Sequence, residues 1–414
     1  MHDTMSETRT KESTVKVESI RSNDNSEQKI ASFRAAVELT SDAVRAVSVT
    51  AVDALKASAR FMGVVSKEEN LANPFDNIDA PVWSEKDIPP FILNTAYDYC
   101  EALTIREAAN FYHSFKYLPD EQRRAMCAYY AFCRRADDIA DGDYRDLFPG
   151  SSGPKDEEAL EYIDRIEEMI QRVPVVDRTS FIDKMSQLFF FRKKLSTAYN
   201  DLASTDPIFL ALKDTVQKYH IPRIHLDDLI AGMEDDFFQD RYETFEDLYR
   251  YCYRVASTVG LVCIDIYGYE NPKARDHAEA WGVFMQLVNI LRDVQEDADR
   301  GRIYLPIEDL ARHGIKPEDV LEGRLQKHPG WEPFVAEFIE RIEVYRDRAL
   351  DLLPMLKPKM RFSPAIMMGF YRSILKKIHR NEGDVFTHRV KLNKIEKLTL
   401  ALSIYIRHRF LTFF

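Results

Sequence analysis

Hydrophobic spacing divides this chain into three stretches. Residues 1–28 alternate acids, bases, Ser and Thr with almost no aromatics, which predicts a disordered polar tail. Between 29 and 64 the apolar positions Phe33, Val37, Val44, Val47, Leu55 and Phe61 recur at roughly helical intervals and predict one or two amphipathic helices. Residues 71–92 hold Pro74, Pro81, Pro89 and Pro90, so 29–95 reads as a helical extension closed by a proline-containing linker. From 96 to 414 a helical period dominates. It is broken at Pro149–Pro154, at Pro174, at Asp206-Pro207 and between Gly301 and Pro306. No alternating strand pairs, no strand–helix–strand rhythm and no internal repeat interrupt it. The prediction is one large all-α domain over 96–414.

Composition agrees with helix: only 14 of the 414 residues are Gly. With 57 Lys and Arg against 68 Asp and Glu, the chain carries −11, which argues against a non-specific nucleic-acid binder. Five cysteines at irregular spacing, with no CxxC, predict reduced thiols in a cytosol-like compartment. No run of about 18 apolar residues is present, so an ordinary spanning helix is not expected. The N-terminal stretch lacks an apolar signal core. Glu7, Glu12, Glu18, Asp24 and Glu27 also argue against a transit peptide. Charge inverts locally near the C-terminus, where Lys357–Arg409 holds 13 Lys or Arg against three acids. A solvated helix face is the plainer account of this cluster; peripheral contact with anionic lipid is the other.

Two acid-rich segments carry the chemistry. The first is Tyr130-Ala-Phe-Cys-Arg134-Arg-Ala-Asp137-Asp138-Ile-Ala-Asp141. The second is Gln286-Leu-Val-Asn289-Ile-Leu-Arg292-Asp293-Val-Gln-Glu-Asp297, which continues to Arg300-Gly-Arg-Ile-Tyr-Leu-Pro306. Residues four apart share a helix face, so Asp137 projects with Asp141 and Asp293 with Asp297, at the cost of like-charge repulsion. One such pair is most simply a solvated surface. Two copies, each preceded by an Arg and flanked by apolar residues, predict facing carboxylates that hold Mg²⁺ with a diphosphate. Arg134 and Arg292 supply forks that match phosphate oxygens. A third pair, Asp236 and Asp240, reads as structural or as a support standing behind the other acids. His220 and His225 read as loop or core residues.

These strings resemble the squalene/phytoene synthases, which join two isoprenoid diphosphates head to head. The likeness runs through Phe111-Tyr112 to Leu118-Pro119, Arg123, Tyr130–Asp141, Tyr251–Gly260, Gln286–Pro306 and Phe386–Val390, over roughly 96–395. It implies an all-α isoprenoid-synthase fold around a central apolar cavity. Asp137, Asp141, Asp293 and Asp297 then correspond to the metal-binding acids, with Mg²⁺ as the ion and Mn²⁺ as its substitute. Arg134, Gln286, Arg292 and Arg389 correspond to diphosphate contacts. Tyr130, Tyr251, Asn289 and Tyr371 correspond to positions around the reacting carbons. Two departures bear on substrate fit: Asn110 where the family often has Ser or Thr, and Ser257 where it has Gly.

The activity implied is condensation of two C20 (geranylgeranyl) diphosphates to phytoene through a cyclopropyl-carbinyl diphosphate, with no NADPH expected. Two C15 (farnesyl) units giving presqualene diphosphate, dehydrosqualene or squalene are the alternative, and a non-catalytic scaffold ranks below both. A chain-elongating prenyltransferase or terpene cyclase also fits Asp137–Asp141, but not the second segment. The partners implied are prenyl diphosphates, with a downstream desaturase and no nucleic acid. The place implied is the cytoplasm, with peripheral contact to the inner membrane face through the basic C-terminal region.

Overall fold

The computed structural model describes residues 73–75, 88–144, 166, 168–171, 178–200 and 204–410. The polar tail, most of the 29–95 extension and the Pro149–Pro154 loop lie outside the described residues. Within them the fold is helical, with no strand; the extended pairings are two isolated bridges, Arg241 with Ile303 and Tyr269 with Leu356.

Helix α1 (Pro90–Glu107) starts inside the stretch read as linker. Pro90 fills the first helical position, where a missing N–H costs nothing and φ is already suited to a helix. Ile92, fully buried, anchors that first turn. Then come α2 (Ala109–Phe115), α3 (Asp120–Asp141), α4 (Arg178–Tyr199), α5 (Pro207–Tyr219) and α6 (Arg223–Asp235). The predicted break at Asp206-Pro207 is the N-terminus of α5, where the Asp206 carboxylate accepts from the Ile208 amide at 3.0 Å.

Helix α7 (Phe245–Cys252) opens with a capping box between Thr244 and Asp247 and runs into one π turn, Tyr253–Ser257. Helices α8 (Thr258–Tyr267) and α9 (Ala274–Arg292) form an antiparallel pair. After α9 come α10 (Val294–Asp299), α11 (Ile307–Arg312), α12 (Pro317–Leu321), α13 (Trp331–Leu350), α14 (Phe362–Arg380) and α15 (Lys394–Phe410).

Helices α3 and α9 run through the core and carry the two acidic segments. On α3, Ala125, Ala128, Phe132 and Ala136 are buried, and the helix packs on α1 and α5, so it is held on several sides. Helix α9 touches the π turn so closely that a Cβ on Gly282 would lie 2.5 Å from the Ala256 carbonyl group. Gly282→Ala is therefore expected to lower the thermal midpoint. The Ala helix propensity is worth about 1 kcal/mol in its favour, but overpacking against backbone costs roughly 1–3 kcal/mol or more. An unchanged midpoint in a calorimetric scan would mean that the two segments separate freely.

Candidate active site

Between α2, α3, α8, α9 and α14 lies an apolar cavity with about 1120 Å³ of empty space, counting its open mouth. Tyr130 and Cys133 of α3, Gln286 and Asn289 of α9 and Tyr371 of α14 line it toward the acidic end. Tyr267, Ala278, Leu352 and Pro364 line it at the other, because α8 and α9 run antiparallel. Phe111 reaches Tyr130 with 5.9 Å between ring centroids, so aromatic faces border the space next to the acids.

The first acidic segment ends α3. Asp141 is its last residue and Gly142 follows at φ 85°, a left-handed cap that L side chains with a Cβ rarely adopt. The Gly142 amide donates to the Ile139 carbonyl and the Asp143 amide to that of Asp138, so the carboxylates sit on a terminated, fixed turn. Arg134 donates to Asp137 at 3.0 Å and also pairs with Asp138, which thereby faces the arginine. Burial and the neighbouring Asp141 raise the Asp137 carboxyl to about 6.

The second segment differs from the continuous helix its spacing predicts. Helix α9 stops at Arg292, and Asp293 adopts a non-helical φ/ψ of −104°/15° before α10 begins. The Asp297 amide still donates to the Asp293 carbonyl at 2.9 Å, so the four-residue register of the two acids survives the break. Arg292 grips Asp293 with both Nε (2.8 Å) and a terminal nitrogen. Arg389, from the segment after α14, donates to Asp293 at 3.1 Å and pairs with Glu296 at 3.1 Å. Burial and the Asp293 charge lift Asp297 to about 7, against the opposing pull of Arg302 and Arg300.

The two segments meet. Arg300 of the second lies 4.0 Å from Asp141 of the first. Between them stands Asp236, expected from the sequence only as a structural or supporting carboxylate. Its side chain is 12% exposed, and its carboxyl is raised to about 6 by burial, with the Asp141 charge adding to the shift. Asp236 in turn raises both Asp137 and Asp297. Tyr304 donates to it at 3.0 Å, Tyr251 at 3.4 Å, and Arg302 lies 3.8 Å away. A backbone tie holds it there, with the Ile303 amide donating to the Asp240 carbonyl at 2.9 Å. Asp240 itself points to solvent, 68% exposed.

Each expected site residue has a definite place. Tyr130, Tyr371, Gln286 and Asn289 line the cavity. Tyr251 does not; its ring stacks on Tyr304 at 5.0 Å and its hydroxyl faces Asp236. Arg134, Arg292 and Arg389 stand against the acids. Ser257, expected to bear on substrate fit, donates to the Glu279 carbonyl at 2.9 Å and ties the π turn to α9. His225 is buried beside Arg275, and His220 is the C-cap of α5.

Among the described residues, no three His, Cys, Asp or Glu side chains close on one point as an all-protein metal cage. Mg²⁺ does not require one, since it is usually bound through one or two carboxylates plus substrate phosphates. The donors fit such an ion. They are hard oxygens whose burial and mutual repulsion raise their proton affinity, and Asn289 adds a buried Oδ1 with no hydrogen-bond partner. Mn²⁺ fits the same oxygens.

Comparison with known proteins follows the same lines. The family model for squalene/phytoene synthase matches residues 105–396. A phytoene synthase of Arthrospira platensis is 31% identical over 335 residues, spanning 78% of this chain and 96% of the relative. A chloroplastic phytoene synthase of Daucus carota is 34% identical over 331 residues, spanning 77% and 72%. In structure, a dehydrosqualene synthase crystallised with a ligand superimposes with a TM-score of 0.57 at 26% identity, over 76% of this chain and 96% of that one. With its helical fold, apolar cavity and paired acidic segments, the chain belongs to the squalene/phytoene synthase family and is a prenyltransferase.

Proposed function

We propose that the enzyme condenses two C20 prenyl diphosphates head to head to give phytoene. The observation that carries the chain length is the reach of the cavity. From Val255 to Tyr267 the helical wall rises about 18 Å. A four-isoprene tail has a sixteen-carbon backbone; at roughly 1.2 Å per bond, the advance of an extended polypeptide, it spans about 18 Å, and a three-isoprene tail about 13 Å. Tyr267 and Leu352, which line the cavity away from the acids, would then meet the tip of the longer tail.

Arg134, Arg292 and Arg389 would meet the diphosphate oxygens, exchanging their carboxylate partners for phosphate. Asp137, Asp141, Asp293 and Asp297, with Asp236 and the free oxygen of Asn289, would hold Mg²⁺, which when bound supplies positive charge to the departing diphosphate. The wall of the cavity excludes water from the allylic cation left when the C–O bond breaks. The faces of Tyr130, Phe111 and Tyr371 offer it π density worth about 2 kcal/mol when desolvated. The second substrate's double bond adds to that cation, and loss of a proton closes the cyclopropane. A second C–O cleavage, rearrangement and proton loss give the 1,1′-linked hydrocarbon. Neither half-reaction consumes a reductant, and a desaturase is the class of enzyme that takes up such a product.

The test is incubation with Mg²⁺ and all-trans C15, C20 or C25 diphosphate, with products identified by mass. A C40 hydrocarbon from the C20 substrate is expected, and Tyr267→Ala should raise the C25-to-C20 rate ratio about tenfold by opening the floor. A C30 product, or presqualene diphosphate, would move the enzyme to the C15 branch. No product from any substrate would leave the scaffold reading.

A further inference from the structure

The cavity's wall has an outer side, and there the molecule exposes a row of apolar side chains. On α15, Ile395 (72% exposed), Leu398 (70%), Leu402 (56%) and Tyr405 (51%) face away from the protein. At the helical repeat these positions fall within about 100° of the circumference. The opposite face is the packed one, since a Cβ on Gly369 of α14 would lie 2.9 Å from Ile404 and 3.2 Å from Leu400. The row continues off the helix: Tyr405 meets Phe362 at 5.9 Å, and Phe362 meets the half-exposed Tyr117 at 4.9 Å.

The surroundings are basic. Arg372, Lys376 and Arg380 step along the exposed side of α14, and Lys116 sits over the Tyr117 ring at 5.1 Å. Burial holds the His113 imidazole below the usual range, and the charges of Lys116, just after α2, and Lys397 of α15 add to the shift. The one acid on α15, Glu396, is paired with Lys377 at 2.7 Å. Local charge is thus strongly positive on a chain of −11.

We infer that this face docks on an anionic bilayer, with α15 lying in the interface plane and its apolar row buried in the acyl boundary. An apolar stripe rimmed by Lys and Arg has that chemistry, and tyrosines suit the headgroup level. No helix among the described residues is long and apolar enough to cross a membrane, so contact is made from one side. The docked face backs onto the cavity, because α2 and α14 present Phe115 and Met367 inward. Resting on the proposed reaction, this gives a hydrocarbon product with no water-soluble group a short path into lipid.

The experiment is vesicle co-sedimentation of the full chain, which requires no turnover. The vesicles are phosphatidylcholine with or without phosphatidylglycerol. Leu398→Ser/Leu402→Ser should weaken binding to anionic vesicles about tenfold. Lys376→Gln/Arg380→Gln should remove the preference for anionic over neutral lipid. Leu398→Trp keeps the row apolar, and its added emission should shift to the blue on anionic vesicles. Unchanged binding in both double variants, or no shift from the new tryptophan, would overturn the assignment. So would a wild-type dimer that the serine variant splits into monomers, which would make this face a contact between two copies.

Discussion

Asp297→Asn and Asp137→Asn should each lower turnover about a thousandfold, and each should raise the melting temperature at pH 8. The first effect follows from removing a carboxylate that would hold Mg²⁺ against the departing diphosphate, where that positive charge would supply roughly 4 kcal/mol of transition-state stabilisation. The second follows from the proton affinities. Both carboxyls are raised in the folded state, to about 6 and about 7, from roughly 3.9 in the unfolded chain. A group raised in this way contributes stability below its unfolded value and loses it as pH rises through its folded value. At pH 8 the wild-type protein therefore holds like charges that Asn removes. At pH 4 both acids are largely neutral and the Asn variants should have no advantage. For Asp297 the gain is of order 1–3 kcal/mol, or a few degrees, reduced by whatever Arg300 and Arg302 lose as its partners; for Asp137, whose side chain is 45% exposed and paired with Arg134, solvent screening makes it smaller. Diphosphate release and calorimetry at the two pH values measure both effects. An Asn variant that kept its activity would sink the metal assignment. One that lost activity and stability together at pH 8 would mark the acids as structural.

How far the sequence reaches depends on whether the information is local. Asp137 and Asp141 are legible because spacing, flanking residues and the Gly142 cap all lie in one stretch. The Asp293–Asp297 pair is legible as a pair, while the break at Asp293 is not, since nothing in Arg-Asp-Val announces a non-helical residue. Asp236 is legible only as a structural or supporting acid, and its place among the other carboxylates is not. Its side chain reaches the acids of the two segments only because the chain leaving α6 is tied to Ile303 more than sixty residues later, a contact no helical period encodes. Tyr251 is found in the right string but faces the carboxylates instead of the cavity, with the π turn starting two residues beyond it. On α15 the spacing of Ile395, Leu398 and Leu402 looks like any buried stripe. Only the contact of Leu400 and Ile404 with Gly369 shows which side is covered.

Asp236→Asn should lower kcat about a hundredfold with little change in KM, because the residue stands among the acids proposed to hold Mg²⁺ and lines no part of the apolar cavity. Its partners make the claim sharper. The Tyr304 and Tyr251 hydroxyls and the Arg302 charge all favour the ionised carboxylate, opposing the burial that lifts it to about 6. Tyr304→Phe removes the stronger hydrogen bond, at 3.0 Å, and leaves the ring stacked on Tyr242 and Tyr251. The Asp236 carboxyl must then rise further, so the acidic limb of the kcat–pH profile should move to higher pH. Activity at pH 6 should fall several-fold more than activity at pH 8. A merely structural Tyr304 would depress the whole profile by one factor. An acidic limb that stays in place in Tyr304→Phe, with full activity in Asp236→Asn, would make Asp236 a helix-end carboxylate with no part in the reaction.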